Sequence, residues 1–221
     1  MDIKANLQAV KKSFLNPDCK LIAVSKTKPI EALKEAYDAG IRDFGENKVQ
    51  EIQWKQLEMP EDTRWHMIGH LQSNKVKYIA PFIHLIHGVD SFKLLKEISK
   101  QGKKADRVIS VLLQIHIAEE ETKFGFDRAE LNEMIADADF SALSHVKIVG
   151  LMGMATFTEN QDQVHKEFRG LKGLFEELKS TVLPAFVQLE EVSMGMSGDY
   201  QIAQEEGSTM VRIGSSIFGA R

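Results

Sequence analysis

The chain has one cysteine, five prolines and no long apolar run in its 221 residues, and each scarcity excludes something. A lone Cys19 forms no internal disulfide, so nothing marks an oxidising compartment, and its side chain reads as a small apolar filler. No stretch approaches the roughly 20 apolar residues that cross a bilayer. Residues 1–15 lack the apolar core and small-residue cleavage site of a signal peptide, and Ile3, Leu7, Val10 and Phe14 repeat there at helical spacing. Positive charge is short as well. The 28 Lys and Arg against 32 Asp and Glu leave a net charge of −4, so no global basic field draws nucleic acid or an anionic membrane. Proline-rich linkers, low-complexity tracts and close repeats are also missing. These absences describe one soluble, cytoplasmic domain over residues 1–221, with neither nucleic acid nor membrane among its partners.

What is present is an alternation. Short apolar or β-branched runs at 21–25, 42–45, 64–68, 85–89, 108–115, 147–152, 191–194 and 210–213 predict strands. Helical patterns at 29–39, 48–57, 73–79, 91–101, 128–138, 161–178 and 200–205 separate them. Pro29 suits a helix start, Ser91 and Asp127 suit N-caps, and Gly40 and Gly102 are placed to close helices in the left-handed conformation. Alternating β and α implies parallel pairing, and eight such units in this length favour a closed (β/α)8 TIM-type barrel preceded by an extra N-terminal helix. The eighth helix is expected to fall off the chain end.

Barrels of this class gather their chemistry where strands end at the C-terminal face, often with phosphate held by the last two loops. The unusual residues here fall there. Lys26 ends the run Leu21-Ile22-Ala23-Val24-Ser25-Lys26 and shares parity with Ile22 and Val24. It therefore faces the barrel interior, where desolvation favours a neutral, nucleophilic amine. A solvated strand-end lysine is the plainer interpretation, and Lys28, beside Pro29, is the competing amine. Asn47 follows strand two and either caps the next helix or aims its amide at a ligand. The loops at 193–199 and 214–216 are rich in Gly and Ser, whose amides and hydroxyls suit a phosphate dianion. Arg212, inside an apolar strand, needs a specific partner, either a carboxylate such as Glu46 or a ligand heteroatom. His84 and His87, three apart, project to opposite faces with no compact Cys/His/Asp cluster beside them, so no metal site is expected.

Taken in order, these residues resemble a known family. Ala23-Val24-Ser25-Lys26-Thr27-Lys28-Pro29, Gly45-Glu46-Asn47, Trp65-His66-x-Ile68-Gly69, Leu71-Gln72-x-Asn74-Lys75, Ser193-Met194-Gly195-Met196-Ser197-x-Asp199 and Val211-Arg212-Ile213-Gly214 are similar to signatures of the pyridoxal phosphate homeostasis proteins. His70 and Gly198 are the departures, and His70 touches the shape of the third loop. The resemblance implies a fold like the alanine racemase N-terminal domain and pyridoxal 5'-phosphate as cofactor, held as a Schiff base on Lys26. It implies that Ser197, Gly214 and Ser215 receive the phosphate, that Arg212 faces the pyridine nitrogen, and that Asn47 lines the pocket.

The implied role is carrying, buffering or delivering the cofactor to apo-enzymes that use it, with no catalytic residues; the small helix-covered barrel, for its part, is expected to be a monomer. Physical reasoning agrees, because a guanidinium beside the ring nitrogen disfavours its protonation and weakens the ring as an electron sink. The sequence ends at Arg221, soon after strand eight, so no second domain is expected to supply an opposing base. The competing functions are a pyridoxal-phosphate amino acid racemase and a barrel enzyme that forms an imine between Lys26 and a phosphorylated sugar.

Overall fold

A computed structural model describes residues 2–119 and 124–219, and in it eight parallel strands close on themselves in sequence order. They are β1 (Lys20–Val24), β2 (Asp43–Glu46), β3 (Arg64–Met67), β4 (Leu85–Val89), β5 (Ile109–Gln114), β6 (Val146–Met152), β7 (Val187–Met196) and β8 (Met210–Ile213). β1 pairs with β2 on one side and β8 on the other, with Val24 opposite Gly45 and Ile22 opposite Arg212. Closure leaves no sheet edge exposed to another chain.

Around the barrel run α1 (Ile3–Lys12), α2 (Ile30–Asp38), α3 (Val49–Glu58), a 3-10 turn at Ser73–Tyr78, α4 (Phe92–Lys104) and α5 (Arg128–Ala136). They are followed by α6 (Ala138–Ser141), α7 (Gln161–Lys179), α8 (Tyr200–Glu205) and α9 (Ser215–Phe218). α1 forms as its pattern predicts: Asp2 accepts from the Ala5 amide at 2.8 Å, and Ile3, Leu7 and Val10 bury one face. The helix packs beside α2 and α9, where Asn6 Nδ2 donates to the Ile217 carbonyl at 2.9 Å. The short α9 thus takes the place of the eighth helix that was expected to be lost.

The expected bounds hold for β4, β8 and α8, and Ser91 and Asp127 cap α4 and α5. Other expectations fail for identifiable reasons. β7 begins at Val187, because Glu190 and Glu191 sit in the exposed and half-buried slots of an alternating strand. Gly102 lies inside α4; a Cβ there would stand 2.5 Å from the His145 carbonyl oxygen, so close approach explains the glycine. The left-handed residue after that helix is Asp106, at φ 52°. The helix predicted at 128–138 breaks at Asp137, whose side chain accepts from the Asp139 amide at 2.8 Å and starts α6.

Two apolar layers result. Ile22, Leu85, Leu112, Met152 and Met210 fill the barrel, while a larger layer, including Phe44, Ile52 and Phe168, lies between strands and helices. Each such side chain contributes roughly 1.5–3 kcal/mol when buried.

Candidate functional site at the barrel mouth

Lys26 stands two residues beyond β1, half-buried, with its backbone gripped on both sides. Before it, the Ser25 carbonyl accepts from Lys55 Nζ at 2.9 Å, and Ser25 Oγ donates to Glu46 Oε1 at 2.7 Å. After it, the Thr27 amide donates to Glu51 Oε2 at 2.7 Å. Thr27 has φ 64°, a left-handed conformation that costs a β-branched residue on the order of 1–3 kcal/mol and persists only where neighbours enforce it. Lys55, on α3, enforces the arrangement: fully buried, it sits 2.8 Å from Glu46 Oε1 and 2.9 Å from Glu51 Oε2. Burial pushes the Glu46 carboxyl up to about 7, against the lowering effect of the bonds from Lys55 and Ser25. The sequence reading missed Lys55, although its three-residue spacing from Val49 and Ile52 puts a lysine on the buried side of α3.

Lys28, the competing amine, donates to the carbonyls of Phe218 and Gly219 at 2.9 and 3.0 Å and so closes the end of α9. Asn47 does not cap α3: the residue before that helix is Lys48, and no side chain caps it. Asn47 instead lies half-buried at the rim, its backbone so near Gly69 that a Cβ there would meet the Asn47 oxygen at 2.7 Å. His70, in the third loop, bonds Asp90 at 2.9 Å and stacks on Phe124.

On the far side of the rim the last two loops meet. The Gly214 amide donates to Ser197 Oγ at 3.3 Å, and Gly214 lies so close to β1 that a Cβ would stand 3.1 Å from the Val24 oxygen. Ser215 is exposed at the start of α9. The ends of β1, β7 and β8 are therefore immediate neighbours.

Arg212 is buried, and Glu46 is not its partner. The carboxylate faces the helix layer and Lys55, whereas Arg212 Nη1 donates to Ser193 O and Oγ at 2.8 and 2.6 Å, and Nη2 to the Gly153 carbonyl at 3.1 Å. With neutral oxygens as its bonding partners, burial draws its basicity down to about 10, and Asp199 offsets that only through space.

The histidines overturn another expectation. His66 Nδ1 and His87 Nε2 are 2.9 Å apart, and both rings are buried. Ligand atoms of Asp43, His66 and His84 lie within 4.8 Å of one another, a compact cluster that no sequence spacing announced. Arg64 occupies both Asp43 oxygens, at 2.7 and 2.6 Å.

Comparison with known proteins is direct. The alanine racemase N-terminal domain family matches residues 1–221. The pyridoxal phosphate homeostasis protein of Aquifex aeolicus is 41% identical over 203 residues, covering 91% of this chain and 87% of that protein. Its counterpart in Vibrio alginolyticus is 42% identical over 207 residues, covering 91% and 86%. PipY of Synechococcus elongatus, solved with PLP bound, superposes with a TM-score of 0.88 at 35% identity, covering 98% of this chain and 100% of that one. An alanine racemase from Bartonella henselae shares the fold alone, with a TM-score of 0.73 at 17% identity over 99% of this chain and 58% of its own. The chain belongs to the family of pyridoxal phosphate homeostasis proteins, built on the alanine racemase N-terminal-domain barrel.

Proposed function

We propose that residues 1–221 act as one monomeric, cytoplasmic cofactor-holding domain that binds pyridoxal 5'-phosphate through Lys26 and passes it to apo-enzymes. The observation that carries this reading is the rim itself. A half-buried lysine follows β1, a buried guanidinium held by neutral oxygens rises on β8, and Ser197 and Gly214 hold donors together between β7 and β8. These residues fit the group: a dianion suits the Ser197, Gly214 and Ser215 loops, and Arg212 suits an uncharged ring nitrogen. When bound, the cofactor supplies an aldehyde and an electron-withdrawing ring. Lys26, through its neutral amine, would hold that aldehyde as a Schiff base. Asn47 borders the same rim. Arg212 would disfavour protonation of the ring nitrogen by like-charge repulsion, so these residues suit holding rather than turnover.

Absorbance before and after borohydride reduction, followed by peptide mapping, tests the assignment. The label is expected on Lys26, and Lys26→Ala is expected to lose the absorbance band. Labelling of Lys28, or of Lys123, which lies outside the described residues, would show that another amine holds the cofactor. Rapid α-proton exchange of amino acids in heavy water, lost in Lys26→Ala, would replace the carrier with an enzyme.

A further inference from the structure

An unbroken line of side chains joins Arg212 to the opposite end of the barrel. Arg212 Nη1 lies 2.6 Å from Ser193 Oγ, which lies 3.0 Å from His87 Nδ1. His87 Nε2 lies 2.9 Å from His66 Nδ1, and His66 Nε2 lies 2.9 Å from Asp43 Oδ1. Five strands, β2, β3, β4, β7 and β8, each supply one member. His66, His87, Ser193 and Arg212 are all buried, and Arg64 covers the Asp43 end.

The two ends dictate every proton between them. Asp43 is ionised, because bonds from Arg64 and His66 outweigh its burial and hold it well below the usual carboxylate range. It can only accept, so His66 carries its proton on Nε2. Burial lowers the basicity of His66, and burial together with the Arg212 charge holds that of His87 well below the usual imidazole range, so both rings are neutral. A neutral His66 then offers a lone pair at Nδ1, and His87 must donate to it from Nε2. That leaves a lone pair on His87 Nδ1, which takes the Ser193 hydroxyl proton. With its rotor locked, Ser193 Oγ turns a lone pair to Arg212, which can only donate.

We propose that this one-way relay, from Arg212 through Ser193, His87 and His66 to Asp43, fixes the guanidinium's orientation from beneath. Ser193, His87, His66 and Asp43 are then positioning residues for the mouth. The positioning role rests on the cofactor reading above, whereas the proton order does not.

The test is long-range proton–nitrogen correlation NMR of ring-labelled histidines in cofactor-free protein at pH 7. His66 and His87 are both expected neutral, with the proton on Nε2. An Nδ1 proton or an imidazolium on either overturns the relay. Asp43→Asn, three links from Ser193, presents either a carbonyl or an amide to His66, so a mixture of tautomers is expected at His87; an unchanged single tautomer there overturns the coupling. Ser193→Ala, which adds no volume, is expected to merge the separately resolved Arg212 Nη signals and to raise the dissociation constant for pyridoxal 5'-phosphate about tenfold. Unchanged Arg212 signals overturn the positioning role. Failure of the unaltered protein to bind the cofactor would sink the function above while leaving the tautomer result to stand or fall by itself.

Discussion

Lys55 and Arg212 are both buried cations close to the mouth, yet they are treated differently. Lys55 sits outside the strands, between Glu46 and Glu51, and its third bond goes to the carbonyl beside Lys26. Arg212 sits inside the barrel and bonds to a hydroxyl and two carbonyls. The first charge is spent within the protein; it locks α3 to the ends of β1 and β2 and so fixes the Lys26 backbone. The second is oriented without being neutralised, which leaves its field available to whatever enters the mouth.

The sharpest way to break this comparison is to remove Lys55. Lys55→Met leaves Glu46 and Glu51 facing each other in a buried space, and urea denaturation is expected to show a loss of about 3–5 kcal/mol. The double variant Lys55→Met/Glu46→Gln is expected to recover part of it. A single-variant loss below about 1 kcal/mol would show that the clamp is ornamental.

A second, smaller effect appears in pH dependence. In the folded chain the pKa of Glu46 is raised to about 7 from its ordinary 4.5, so the folded chain binds this proton more tightly than the unfolded chain. Glu46 therefore contributes stability that is fully present below about 4.5 and is lost as pH rises through about 7. The stability of the unaltered protein minus that of Glu46→Gln is expected to grow as pH falls across that window. Taking the difference cancels Asp43, whose lowered pKa acts in the opposite direction in both proteins. A flat difference would mean that Glu46 stays ionised beside Lys55.

Arg212 should give the smallest stability effect and the larger functional one. Arg212→Met abandons three hydrogen bonds but removes a desolvated charge, so denaturation is expected to shift by no more than about 1–2 kcal/mol in either direction. Equilibrium dialysis is expected to show pyridoxal 5'-phosphate bound at least tenfold more weakly, about 1.4 kcal/mol. A large stability loss with unchanged binding would make Arg212 a second structural cation like Lys55.

Much of the barrel was legible in the residue order. Period-two apolar runs separated by helical stripes define β/α units, and the parity of Met210, Arg212 and Gly214 already turns Arg212 inward. Caps at Ser91 and Asp127 were equally readable, because the partner lies three residues along the chain. The parity of His66 with Ile68, and of His87 with Leu85, was an unused signal that two histidines point into the barrel.

What the sequence by itself determined is therefore the set of local facts: which segments are strands, which face each side chain takes, and which residues stand at strand ends. Only the tertiary structure decided which inward residues meet. His66, His87 and Ser193 come from three strands, and Lys55 reaches Glu46 from a helix behind the sheet. Parity assigns a face, but the height of each residue in the barrel depends on strand stagger, and that is set by closure of all eight strands together.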